Sequence, residues 1–181
     1  MNEETISETG QIEDSKRNPK SFEPLYKKYY EPIIRFVYKR MESIEEAREL
    51  TAVVFAKALL NIGKYTQKGQ PFSAWLYRIA INEINQFYRH TAKIRVININ
   101  SKAAKYIAEE NNMPGKENIS VLSKALLFLE EEDIELIELR FFEERPFEEI
   151  GNILEITGNN AKVRTYRAID KLREIFTKLE N

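Results

Sequence analysis

Residues 149–175 read EIGNILEITGNNAKVRTYRAIDKLREI. Apolar residues recur at helical spacing on both sides of a short interruption, which predicts one helix from Pro146 to Leu154, a turn at Glu155 and Ile156, and a second helix capped by Thr157. That layout is a helix-turn-helix. Glu155 occupies the place where such turns usually carry glycine, because the backbone there often takes a positive φ. At about 100° per residue, the second helix turns Ala161, Thr165, Ala168, Leu172, Phe176 and Leu179 inward. Arg164, Arg167, Lys171 and Lys178 form one flank, and Lys162 and Arg173 the other. Asn159, Val163 and Tyr166 lie opposite the core near the helix start, beside Asn160. Cations on both flanks suit phosphate walls, and hydrogen-bonding residues on the leading ridge suit base edges in a major groove. Asp170 and Glu174 follow on the same ridge, so only the N-terminal half is expected to sit deep.

Outward from this stretch, nearly all periodicity is helical and no useful strand alternation occurs, so the chain reads as all-α: two small helical domains joined by a flexible linker. Residues 1–19 read as a disordered polar tail, 20–92 as one domain, 93–119 as the linker, with Pro114-Gly115 as a breaker, and 120–181 as the second domain. In SFEPLYKKYYEPIIRFVYKRM, Phe22, Tyr26, Tyr29, Ile33, Phe36, Val37 and Tyr38 share one broad face. Pro24 falls in the first turn, and Pro32 is expected to kink or divide the helix. Ser43-x-x-Glu46 forms a capping box, and Gly63 is expected to end that helix in the left-handed region. In FSAWLYRIAINEINQFYRH, Phe72, Leu76, Ile79, Ala80 and Phe87 are expected inside, with Trp75 beside them, and Asn82, Asn85, Gln86 and Arg89 outside.

Composition excludes several function classes. No apolar run approaches the roughly 18 residues of a membrane span, and the acidic opening lacks the layout of a signal peptide, so a cytoplasmic chain without membrane insertion is expected. With no cysteine and a single histidine, His90, neither a disulfide, a zinc site nor a proton shuttle is expected, so no metal and no cofactor. His90, at a helix end, reads as a cap or a phosphate contact. The acidic EEEDIE, residues 130–135, offers carboxylates without a partner base, so no catalytic residues are assigned.

The net charge of −1 conceals a sorted distribution. Lys64 to Lys105 holds eight bases against one acid, Glu109 to Glu155 fourteen acids against four bases, and Lys162 to Lys178 six bases against two acids. A pI near 6 therefore does not exclude a polyanionic partner, because local potential steers association.

Four segments in order, FEPLYKKYYEPIIRFVYKRM, EEARELTAVVFAKAL, PFSAWLYRIAINEINQFYR and ELRFFEERPFEEIGNILEITGNNAKVRTYRAIDKLRE, resemble regions 2.1, 2.2, 2.3–2.4 and 4 of sigma factors. The chain is similar to the extracytoplasmic-function (ECF) type of sigma-70 family RNA polymerase sigma factor, which has regions 2 and 4 only. This resemblance implies no reaction of its own. It implies a transcription initiation factor that binds core RNA polymerase through the clamp helices of the largest subunit, here by Glu46, Glu49, Leu50 and Phe55. The family commonly has Gln or Ser and then Glu after the Thr, where this chain has Ala52 and Val53.

The resemblance further implies that the −10 element is held as single-stranded DNA by region 2, with a flipped base in the loop 64–71. Tyr65, Gln70, Asn82, Asn85 and Gln86 are the base-reading candidates, and Lys64, Lys68, Arg89, Lys93 and Arg95 the phosphate candidates. Region 4 is implied to read the −35 duplex through Thr157, Asn159, Asn160, Lys162, Arg164, Tyr166, Arg167 and Lys171. An anti-sigma factor is a further implied partner. The acidic middle reads either as RNA mimicry in a polymerase channel or, for Glu130 to Glu138, as a solvated helix face. The alternative function is a sigma-derived DNA-binding regulator or adaptor that does not dock stably on polymerase.

Overall fold

Apolar residues at helical spacing become helices, and what caps each one decides where it stops. The computed structural model describes residues 7–66, 69–91, 93–97, 99, 104, 107 and 119–180. Among them are eight α-helices: α1 Glu8–Arg17, α2 Glu23–Tyr38, α3 Ile44–Asn61, α4 Phe72–Thr91, α5 Ile119–Leu126, α6 Glu131–Ile137, α7 Phe147–Leu154 and α8 Gly158–Glu180. None is long and apolar enough to cross a membrane. The chain is all-α and divides into two compact units, residues 1–92 and 93–181.

In the first unit α2, α3 and α4 pack on one another. Ile33, Val37, Val54, Ala58, Leu76 and Ala80 are buried between them. Tyr88 at the end of α4 donates to the Arg40 carbonyl at 2.5 Å, while the Arg40 guanidinium stacks on Phe36 at 3.7 Å. This buried cluster ties the end of α2 to α4. Ser43 Oγ accepts from the Glu46 N–H at 3.1 Å, as the capping box requires, but the Glu46 carboxylate accepts from Glu42 instead of Ser43.

Three expectations for this unit are corrected. Residues 8–17, expected in a disordered tail, form α1: Ser7 caps it, Ile12 is buried, and Glu8 binds Lys28 and accepts from the Tyr29 hydroxyl at 2.6 Å. Pro32 lies inside α2 without dividing it. The missing N–H costs one backbone hydrogen bond, and the burial of Ile33, Phe36 and Val37 around it holds the helix together. Gly63 is not left-handed; α3 ends at Asn61 and a 3₁₀ turn, Ile62–Lys64, follows, so the positive φ of this loop falls at Gly69.

In the second unit α8 is the central element, packed against α5, α6 and α7. Leu126, Ile137, Ala168, Ile169, Leu172 and Phe176 are buried at its centre. Ile97, Ile99, Ala104 and Ile107, expected in the flexible linker, pack on this same core because their side chains are apolar and the core has an open face for them. Arg95, also from that stretch, donates to the buried Glu138 at 3.1 Å. Leu179, expected inside, is exposed because α8 outruns its partners there.

The helix-turn-helix forms at the expected place. Glu155 takes φ 57° and ψ 36°, the left-handed conformation that stops α7, and its N–H donates back to the Gly151 carbonyl. The Ile156 N–H donates to the same oxygen at 3.0 Å. Gly151 permits this close crossing, since a Cβ there would lie 2.7 Å from the Ile156 carbonyl oxygen and 2.9 Å from the Gly158 nitrogen. Thr157 Oγ1 then accepts from the Asn160 N–H at 3.1 Å and caps α8, a contact worth about 1 kcal/mol.

Candidate functional site

Two surfaces concentrate the expected residues, one in each unit. In the first, α3, the 3₁₀ turn and α4 line an open cavity of about 360 Å³, near the lower end of the roughly 300–1,000 Å³ range of small-ligand sites. Lys64 and Tyr65 come from the turn, and Asn82 and Gln86 from α4. Trp75, Ile79 and Glu83 complete the α4 wall, and Lys57 and Asn61 the α3 wall. Trp75 was expected in the core but is only half-buried, leaving one part of its indole against Tyr65 and Phe72 and another in the cavity wall. A half-open indole is a stacking platform for a flat base, worth about 1–3 kcal/mol per base.

Of the other −10 candidates, Tyr65 is part of the wall and the rest fall elsewhere or outside the described residues. Tyr65 is buried, its ring edge-on to Phe72, its hydroxyl donating to the Gln70 carbonyl at 3.4 Å. Burial, with a smaller contribution from the charge of Glu8, pushes its phenol pKa up, so it stays a neutral wall residue. Gln70 turns its side chain to Arg78, at 3.5 Å. Asn85, expected outside, is buried, because it lies about 100° around α4 from Gln86. Arg89 is exposed further along α4 and does not line the cavity. Lys93 is exposed in the second unit, whereas Arg95 is committed to Glu138. Lys68 lies outside the described residues.

Sequence reading missed Lys57, Asn61, Trp75, Ile79 and Glu83 as cavity residues. The signal was present in part: Trp75, Ile79, Asn82, Glu83 and Gln86 follow helical spacing along one stripe of α4, beside the buried row of Leu76, Ala80 and Ile84.

On the second surface, the leading end of α8 presents Asn159, Asn160, Lys162, Val163, Arg164 and Arg167 to solvent. Thr157 is spent on the cap, and Tyr166 is half-buried with its ring 6.2 Å from that of Phe147. Lys162 and Arg167 make no ion pair among the described residues. Arg164 donates to Asn160 at 3.1 Å and stands 3.8 Å from Glu132. Lys171 binds Asp133 of α6 at 2.6 Å, and this hydrogen bond raises its pKa. The acidic run 130–138 is thus more than a solvated face: Asp133 and Glu132 border the basic flank, and Glu138 is buried against Arg95.

Of the docking candidates on α3, Glu49 is exposed and Glu46 and Leu50 are half-buried. Phe55 is inside, among the rings of Phe22, Tyr26 and Tyr30, so it supports the helix from beneath instead of meeting a partner. The exposed face is Glu45, Glu49, Ala52, Val53, Ala56 and Leu60, with Leu60 82% exposed.

Comparison with known proteins gives two family matches in chain order, Sigma-70 region 2 over residues 25–94 and Sigma-70, region 4 over residues 125–174. The chain is 27% identical over 162 residues to the RNA polymerase sigma factor YlaC of Bacillus subtilis, covering 87% of this chain and 93% of that one. It is 25% identical over 159 residues to the ECF RNA polymerase sigma factor BldN of Streptomyces coelicolor, covering 86% and 60%. With the ECF RNA polymerase sigma factor SigW of Bacillus subtilis it shares 26% over 157 residues, covering 81% and 83%. A solved RsbN–BldN complex is similar at 22% identity with a TM-score of 0.40, covering 90% of this chain and 97% of that one.

Proposed function

Since the chain belongs to the sigma-70 family of RNA polymerase sigma factors, in its ECF type, we propose that it docks on core polymerase and directs it to promoters by holding two DNA elements. The first unit captures the −10 element as an unpaired strand, with one base in the cavity beside Trp75 and phosphates near Lys64. The second reads the −35 duplex through the leading end of α8, with Asn159, Val163 and Arg167 toward base edges and Lys162 and Arg164 toward phosphates. It performs no reaction of its own. The exposed α3 face carrying Glu49, Val53 and Leu60 is the polymerase contact, and the same exposed surfaces would be the ones an anti-sigma partner covers.

The cavity carries this reading: a pocket of about 360 Å³ combining an indole, amides and cations supplies the stacking, edge contacts and charge that an extruded base requires. Core polymerase reconstituted with the purified chain should start transcripts at discrete sites, and their upstream sequences should share two spaced elements. Failure to form a complex with core polymerase, alongside retained duplex binding, would instead establish a DNA-binding regulator.

A further inference from the structure

The cavity wall holds a charge pair outside the base-reading set expected from sequence. Lys57 Nζ donates to Glu83 Oε1 at 2.6 Å. The Glu83 side chain is 8% exposed and that of Lys57 42%, so the carboxylate is the deep end of the pair and the ammonium the shallow end. Both line the cavity. A carboxylate has acceptor sites for several hydrogen bonds, and Lys57 occupies one oxygen of this one.

An extruded nucleotide enters with its sugar and phosphate at the mouth, and the glycosidic bond then fixes which atoms reach farthest. In a pyrimidine the C4 substituent lies across the ring from N1; in a purine the C6 substituent lies at the end away from N9. That group is an amine in cytosine and adenine, and a carbonyl oxygen in thymine and guanine. An amine donates to a carboxylate, whereas a carbonyl set against it leaves two acceptors facing each other with no proton between them.

We propose that Glu83 is a specificity residue of this cavity, selecting amino bases (cytosine or adenine) over keto bases (thymine or guanine), with Lys57 as its positioning partner. This rests on the reading of the cavity as the single-strand site. Lys57 holds the carboxylate in place through one oxygen, and with Lys64 it offsets the repulsion between that carboxylate and an incoming phosphodiester.

Trp75 is the only tryptophan in the chain and lines the same cavity, so its emission reports occupancy of this site alone. The test titrates the full-length chain with short oligo-dT carrying one central dT, dC, dA or dG, read by anisotropy of a labelled strand and, with unlabelled strands, by Trp75 emission. The dC and dA strands should bind about tenfold tighter than the dT and dG strands and perturb Trp75 most. Glu83→Gln, whose amide can offer either a donor or an acceptor, should shrink that spread to about twofold while the far-UV helical signal is retained. Independently of any variant, replacing the dC base with 2-pyrimidinone, which lacks the amine, should weaken binding to the dT level. Equal affinity for all four strands with a Trp75 response, full dC-level binding by the 2-pyrimidinone strand, or an undiminished spread in folded Glu83→Gln each overturns the inference and leaves the cavity as a single-strand site. No binding, or binding without any Trp75 response, overturns the reading of the cavity itself.

Discussion

Replacing Gly151 with alanine tests how the two helices of the helix-turn-helix are held. The added methyl would meet backbone only: the Ile156 carbonyl oxygen at 2.7 Å, the Gly158 nitrogen at 2.9 Å and the Thr157 carbonyl carbon at 3.0 Å. Backbone cannot swing aside, so the turn must move by a few tenths of an ångström, stretching the Ile156 N–H bond to Gly151. Overpacking of this kind costs about 1–3 kcal/mol, and the contact falls at the severe end of that range. Against it, alanine improves on glycine inside a helix by about 1 kcal/mol. The net loss is about 2 kcal/mol, or about 2 M in the urea midpoint for a small domain whose slope is about 1 kcal/mol per M. Far-UV circular dichroism should show the second unit unfolding earlier, while Trp75 fluorescence, which belongs to the first unit, keeps its transition. Gly158→Ala is the matched comparison, because its methyl meets the Glu148 carboxylate end, which rotates away, and stability should change by no more than about 0.5 kcal/mol. A Gly151→Ala protein as stable as the parent would refute the close-crossing argument.

Further outcomes follow from single contacts. Arg167→Ala should weaken binding to the cognate duplex by about 1–3 kcal/mol and relax sequence preference at one position; an equal loss on every duplex would make Arg167 a phosphate contact. Asp133→Asn releases Lys171 from its 2.6 Å pair, so duplex binding should tighten and the log–log salt dependence steepen by about one unit, and an unchanged slope would show that Lys171 does not reach DNA. Burial first, then its hydrogen bond to the Glu8 carboxylate, raises the Tyr29 pKa to about 12. A raised phenol stabilises the fold fully below the unfolded value of about 10 and loses that contribution as pH climbs through the folded one. Phenolate absorbance should therefore show Tyr29 titrating last, later than the also raised Tyr65, and its step should move earlier in Glu8→Gln.

The helices were legible because their apolar residues repeat at helical spacing and their stops are local: Thr157 caps its own helix, and Glu155 takes the positive φ that its place in the turn required. What was not legible depends on distant partners. α1 has a polar composition, and the burial of Ile12 and Ser15 and the contacts of Glu8 to Lys28 and Tyr29 hold it as an ordered helix on the unit. Asn85 and Phe55 fall on the core side of helices whose orientation the neighbouring helices set, which no wheel of one helix alone supplies. The cavity shows both cases at once. Asn82 and Gln86 were expected at the site from the resemblance to region 2, whereas Glu83 gains its meaning from Lys57, 26 positions earlier on another helix.

The packing of Ile97, Ile99, Ala104 and Ile107 on the second unit has a practical side for anyone dissecting the protein. A C-terminal fragment begun at Ser120, where the sequence pattern resumes, would strip these side chains from the core that includes Leu122, Phe141 and Phe176 and leave an oily face to self-associate. The separable piece begins near Lys93, and four apolar side chains expected in a tether close over part of the domain's own interior.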